Sequence, residues 1–370
     1  MKKNGLIFLV FFCALNVFSK SVKKPDYVHN YERILEEAQI LFDENSYGDA
    51  LKQAEKARNS KKEQSEYEIY ILENSFKPAE VKRKGDSINS ILEILQERED
   101  FDAIQIIRRN FRKYGAEFFD DSKAELLSFI RKNAAFPEAD FLMGKIYCLE
   151  GEYSFAYEYF SSAYKNSEVL EIPDEKYDIL YELANVSQLL KKDEKYEEFL
   201  LLILSQSKEF KDETFYSALK KTSESTRNDC LEKFFSLYRC DDFSLLKAYF
   251  ALTDFYMEHG RNEKAKALKT CQLGAITAYT KIVDVLKKRN ADFEFAGLSD
   301  VLQEAQNYPD IVQWGIENNI WKGFYTLAEL NYLNSNLIFS VQLFNILKEA
   351  EPEDYWKQKS SVRLAEIIPD

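Results

Sequence analysis

Apolar and polar residues follow one another along this chain with the period of a helix. In the stretch MGKIYCLEGEYSFAYEYFSSAY, Met143, Gly144 and Tyr147 share one helical face. Gly151 then interrupts the pattern, and Ala156, Phe160 and Ala163 resume it. Two short amphipathic helices joined by a tight turn follow from that spacing. The small residues Gly144 and Ala156 stand where the two helices of such a hairpin come closest, and Tyr147 and Phe160 fill the space beside them.

The layout recurs. Ile34, Ala38, Leu41, Tyr47, Ala50, Ala54 and Ala57 repeat it near the N-terminus, and Tyr249, Leu252, Thr253, Tyr256, Gly260 and Ala265 do so later, with Lys269 where an aromatic residue would stand. A last copy carries Phe324, Leu327, Ala328, Ser340, Phe344 and Leu347, and Pro352 suits the end of its second helix. Ala38, Gly144 and Thr253 lie at intervals of about three 34-residue periods. Between them, SILEILQEREDFDAIQIIRRNF and DILYELANVSQLLKKDEKYEEFLLLIL each give a periodic helix, a charged turn and a second helix. Residues 59–87 and 293–321 fit worst, and Pro78, Gly85, Pro309 and Gly315 mark breaks there.

On these residues the chain resembles the tetratricopeptide (TPR) repeat family. That family's pattern places a Trp, a Leu-Gly pair and a Tyr on the first helix and Ala-x3-Phe on the second. Here Gly144, Tyr147, Ala156, Phe160 and Ala163 match, while Met143 replaces the Leu and Asp140 the Trp. The resemblance implies an all-α fold, an α-solenoid of stacked antiparallel helical hairpins forming a TPR-like superhelix. The organisation expected is a signal peptide over 1–19 and a short flexible N-terminus over 20–30. TPR-like hairpins then cover 31–117 and 118–210, degenerate helical hairpins 211–292, further TPR-like hairpins 293–356, and a C-terminal tail 357–370.

The leader changes the cellular picture. Lys2 and Lys3 precede an apolar run from Leu6 to Leu15, Val17 and Ser19 suit cleavage near Ser19, and Lys20, Lys23 and Lys24 close the segment. A membrane anchor would need about 20 apolar residues, so no integral span is expected after cleavage. Export to a bacterial periplasm or envelope follows as the expectation. Cys13 would suit lipidation only with a small residue before it, and Phe12 stands there.

Composition narrows the class further. Eleven Gly and seven Pro are few for 370 residues and remove the turn chemistry of an all-β chain. Without Lys2 and Lys3, 48 basic residues face 63 acidic ones, a net charge of −15 and the wrong sign for a nucleic-acid partner. Cys148, Cys230, Cys240 and Cys271 remain after cleavage, an even number that permits disulfides, with buried free thiols the expected state.

Catalytic chemistry finds little to work with. The two histidines are His29, just beyond the cleavage site, and His259 in the turn EHGRN. No G-x-S-x-G, H-E-x-x-H or C-x-x-C occurs, and the glycines keep no phosphate-loop spacing. Asp120 with Asp121, and Asp241 with Asp242, read as helix-start and turn residues. No catalytic residue, metal or cofactor is expected.

The expected function lies on a surface. In the resembled family the first helix of each hairpin lines the concave side. Spacing gives the face away from the repeat core as Glu32, Leu35, Gln39, Phe42; Glu138, Phe141, Lys145, Cys148; Lys247, Phe250, Asp254, Met257; and Lys322, Tyr325, Glu329, Tyr332. Two apolar rows thus flank a polar one, a groove suited to a protein or peptide partner in the envelope. The alternative for these residues is packing between neighbouring hairpins. Tyr325 and Tyr332 are the better candidates for exposure, since a Tyr presents a flat contact surface and a polar tip. The family's carboxylate clamp needs an Asn beside Lys145, and none stands there. Two competing readings are a small-ligand protein serving a transporter, with a closed apolar cavity near Phe141 and Phe250, and an enzyme with its site in 293–321.

Overall fold

Helix is the only regular structure among the described residues, and local composition accounts for it, since Gly and Pro fall mostly at element ends. The structure is a computed structural model that describes residues 30–75, 96, 101–114, 118–238, 244–260 and 263–368. The expected leader, Cys13, His29, Pro78, Gly85, Cys240, Asp241 and Asp242 lie outside the described residues. By contact the chain divides once, into Met1–Met143 and Gly144–Asp370.

In the first unit, α1 (Asn30–Asp43) packs on α2 (Tyr47–Ser75), and α3 (Phe101–Tyr114) and α2 pack on α4 (Phe118–Asn133). The helix α5 (Pro137–Leu149) carries the unit boundary within it. Tyr31, Ile34, Ala57, Phe136 and Ala139 form a core that the half-buried Leu35 joins. The Tyr31 ring stands edge-on to Phe136 at 5.3 Å. Asp140, where the family pattern has Trp, is 4% exposed and accepts a hydrogen bond from Arg58 Nη1 at 3.0 Å. α2 continues well past Asn59 because no Gly or Pro interrupts it before Pro78.

The second unit begins in α5 and continues with α6 (Tyr153–Lys165), α7 (Glu175–Leu189) and α8 (Asp193–Leu204). The short α9 (Lys208–Lys211), α10 (Glu213–Ser223) and α11 (Cys230–Ser236) follow, then α12 (Leu246–Glu258) and the long α13 (Lys264–Arg289). It ends with α14 (Leu298–Ala305), α15 (Pro309–Glu317), α16 (Ile320–Leu333), α17 (Leu337–Ala350) and α18 (Asp354–Ile367).

One turn geometry closes α1–α2, α5–α6, α7–α8 and α16–α17. Its left-handed residue is Asn45 (φ 62°), Gly151 (79°), Lys191 (55°) or Ser335 (67°). That residue's amide donates to the carbonyl three back, and the next amide to the carbonyl five back, of Leu41, Tyr147, Ser187 or Asn331. The following helix then starts from the carbonyl of Ser46, Glu152, Lys192 or Asn336, which accepts from Ala50, Ala156, Tyr196 or Ser340. Three residues before each carbonyl-bearing residue of the first helix sits a buried small residue, Ala38, Gly144, Ala184 or Ala328. A Cβ on Gly144 would overlap the Phe160 ring. Ser340 reaches across its hairpin, its Oγ donating to the Ala328 carbonyl at 2.9 Å, so a hydroxyl is satisfied at the position that Ala50 and Ala156 hold in two other hairpins.

The α12–α13 pair departs from the spacing. Ala265, expected in the core, is exposed, and Thr253 instead faces Thr270 with 2.9 Å between the hydroxyl oxygens. α13 is buried on every side from Thr270 to Thr280, because α10, α12, α14 and α16 all pack on it. Phe235 and Tyr238 close over its Tyr279, with ring centroids 4.9 and 5.7 Å away. Its buried threonines are satisfied within the helix: Thr277 and Thr280 donate to the carbonyls of Leu273 and Ile276. Phe250 of α12 lies between Gly274 of α13 and Gly323 of α16, where a Cβ on either would press on its ring.

Two further expectations differ. Pro309 opens α15 at a position where its missing N–H costs nothing. Gly315 does not break the chain but lies buried inside α15, because the Trp321 indole occupies the space of a Cβ. Residues 357–370, expected as a tail, continue α18 through Ile367, which packs on α17 and α16.

Candidate interaction face

The face expected to bind a partner is divided by burial into two kinds of position. In the first unit, Glu32 and Gln39 of α1 are exposed, and Gln39 donates to Asp43 at 2.9 Å. Leu35 packs against the core, and Phe42 is half-buried with its ring 5.7 Å from that of Tyr47. Phe141, at the end of that unit, is buried. In the second unit Lys145 and Cys148 are half-buried, and burial, with Glu182 nearby, pushes the Cys148 thiol up from its ordinary pKa.

On α12, Lys247 is exposed, Met257 is 41% exposed and Phe250 is buried between its two glycines. Asp254 accepts from Lys322 Nζ of α16 at 2.5 Å, which ties the polar positions of two first helices together. The crevice beside this pair, lined by Phe250, Thr253, Asp254, Asn319, Lys322, Gly323 and Thr326, is too narrow to admit a water molecule. The apolar space near Phe250 is therefore filled by the chain itself.

On α16, Tyr325 is only 9% exposed, covered by Phe344 of α17, whose ring lies 5.5 Å away, and by α18. The Trp356 ring lies 5.2 Å from Tyr325, and Lys359 Nζ stands 5.2 Å from the same ring. Tyr325 OH donates to Glu329 Oε1 at 3.0 Å, and Arg363 donates to both Glu329 oxygens at 2.6 and 3.3 Å. The Arg363 guanidinium also lies 4.9 Å from the half-buried Tyr332 ring. Burial, with the Glu329 carboxylate, raises the Tyr325 hydroxyl above its usual pKa. The expectation that Tyr325 would be exposed did not allow for α18. The missed residues are Trp356, Lys359 and Arg363, and the signal was their spacing of three, four and seven, which places them on neighbouring turns of one helix.

Of the expected repeat core, Ala38, Ala50, Gly144, Ala156, Phe160, Ala163, Ala328 and Phe344 are buried, and Tyr147 and Pro352 half-buried. Tyr147 stacks on Tyr159 at 5.3 Å and lies 5.4 Å from Phe155. His259 ends α12 in the solvent, with Nδ1 2.8 Å from the Phe255 carbonyl and Nε2 3.6 Å from Asp193 of α8. The Phe255 carbonyl, followed by Asp193, raises its pKa, which suits a clamp between two helices. In 293–321 the charged contact is structural, Arg289 Nη1 donating to Asp310 at 2.9 Å. Cys148, Cys230 and Cys271 are free thiols. Among the described residues no group of three or more His, Cys, Asp or Glu is placed to hold a metal, and no helix is long and apolar enough to cross a membrane.

No protein-family model matches the chain. It is similar to an uncharacterized protein of Treponema pallidum (strain Nichols), 28% identical over 337 residues, which span 90% of this chain and 89% of that one.

Proposed function

We propose that this is a non-catalytic, exported scaffold of tetratricopeptide-like hairpins stacked as an α-solenoid, which binds a protein or peptide segment of the cell envelope on its first-helix faces. The observation that carries the reading is the shared turn of four hairpins, each with a buried small residue at the same offset. The two closing hydrogen bonds are those of a common helix C-cap; what supports a repeated unit is that all four connections have the same length and carry a buried small residue at the same offset. In the first unit the exposed Gln39 and the half-buried Phe42, and in the second the exposed Lys247 and Met257 and the half-buried Tyr332, supply mixed polar and apolar contact. The envelope location rests on the leader composition of residues 1–19.

The test is cross-linking of the mature chain in an envelope extract beside a Lys247→Glu, Met257→Asp variant. Both positions are exposed, so far-UV helicity should not change. A protein captured by the native chain and lost from the variant supports the reading, and capture unaffected by the variant removes the α12 face from it. A small-ligand protein serving a transporter is the second reading, and the filled space at Phe250 weighs against its cavity at that point.

A further inference from the structure

The last described helix lies along α17 and reaches the first-helix face of α16 through a few side chains. Its contacts with the first-helix face are few and specific: Trp356 on Tyr325, Arg363 forked on Glu329 and laid over Tyr332, and Lys359 beside the aromatic pair. Ser360 is the single fully buried residue of α18. Tyr355 and Val362 on its outer side are 58% and 62% exposed. α18 packs chiefly along α17 and reaches α16 through these side chains, yet Ser360 is its one fully buried residue, the low burial of a segment that opens locally.

The seat is also imperfect. The Ser360 hydroxyl is buried without a hydrogen-bond partner. Glu351, in the connection from α17, is 1% exposed, and both its carboxylate oxygens lack partners. Unpaired buried polar groups at a joint oppose its closure. The charged groups that bear on Glu351 are Glu353 in the connection and Lys357 on α18, while on the α14 side Gln306 bonds the neighbouring Ala350 carbonyl.

We propose that α18 is a displaceable latch that occupies the α16 face in place of a partner helix presenting an aromatic residue and, two turns later, an arginine. This rests on the reading of first-helix faces as the binding surface and names the partner's chemistry. Burial, and secondarily Glu353, raises the Glu351 pKa well above the usual carboxylate range. Closure therefore takes up a proton if Glu351 is released to solvent when α18 leaves. The stabilisation of the closed state is present in full below the ordinary glutamate pKa of about 4.3 and is lost as pH rises through the folded value.

The experiment is amide hydrogen exchange on the full chain, with α13 as the internal reference. Arg363→Glu should speed exchange in α18 by about tenfold or more, since it removes a charge-assisted fork, and leave α13 unchanged. Glu351→Gln should slow α18 at neutral pH and flatten its pH dependence. A fluorescently labelled peptide of residues 354–368 should bind the Arg363→Glu chain more tightly than the native chain. The latch is overturned if α18 exchanges only together with α13, or if the peptide binds neither chain. Peptide binding without any face-dependent envelope partner would keep the latch and remove the scaffold reading. Partner capture through α12 with α18 immobile would do the reverse.

Discussion

α6 and α13 are both second helices of hairpins, yet they meet their surroundings differently. α6 buries Ala156, Phe160 and Ala163 on one face and leaves Phe155 51% exposed on another. α13 has no open side from Thr270 to Thr280, because four helices and two rings surround it. One-sided contact writes an i, i+4, i+7 stripe into a sequence. Enclosure erases the stripe, since positions on every side must then be apolar, small or hydrogen-bonded, as Gln272 is in donating to Ser223 of α10. The threonines of α13 meet that demand by donating to their own helix.

If enclosure is what separates the two, truncation should separate them most. Tyr279→Ala, inside the ring cluster of Phe235 and Tyr238, is expected to cost about 3 to 5 kcal/mol by urea denaturation, and Phe155→Ala about 0.5 kcal/mol or less. Similar losses at both sites would break the comparison. Overpacking comes next. Gly323→Ala must displace Phe250, held by Gly274 on its other side, and should cost about 3 kcal/mol. Gly144→Ala presses on Phe160 of a helix with an open flank and should cost nearer 1 kcal/mol. A larger loss at Gly144 than at Gly323 would show that α6 is as tightly held as α13. The smallest effect belongs to the shared turn. Lys191→Gly relieves a left-handed φ of 55° and should raise stability by about 0.5 to 1 kcal/mol. Gly151→Lys, the converse change, should lower it by a similar amount.

The all-helical class was legible because Gly and Pro are scarce and the apolar period is helical throughout. The α5–α6 hairpin could be read in detail, since Gly144 and Gly151 mark its close contact and its turn by composition alone. The α7–α8 hairpin has the same turn but was harder to see. Lys191 holds the position of Gly151, and Tyr196 that of Ala156, so neither advertises its backbone. The register of α13 was misjudged at Ala265, which faces solvent while Ala267 and Leu268 two and three residues on turn inward. α18 was read as a tail because Ser360 is its single fully buried residue, which leaves no apolar stripe to detect. The candidate face was half legible. The spacing grouped Tyr325, Glu329 and Tyr332, which the structure brings together, but no single-helix pattern reveals that Trp356 and Arg363 cover them.

The seat of Phe250 between Gly274 and Gly323 joins three helices through positions far apart in the chain. None of the three can drift alone. A homologue with Ala at position 323 is expected to carry a smaller side chain than Phe at position 250, and one that keeps the ring to keep Gly323, while Gly274 is held in addition by the Tyr249 Cβ, 2.9 Å from where its own would stand. Positions 250 and 323 should therefore change together across related chains, an inherited linkage that aligned homologues would expose without a purified protein.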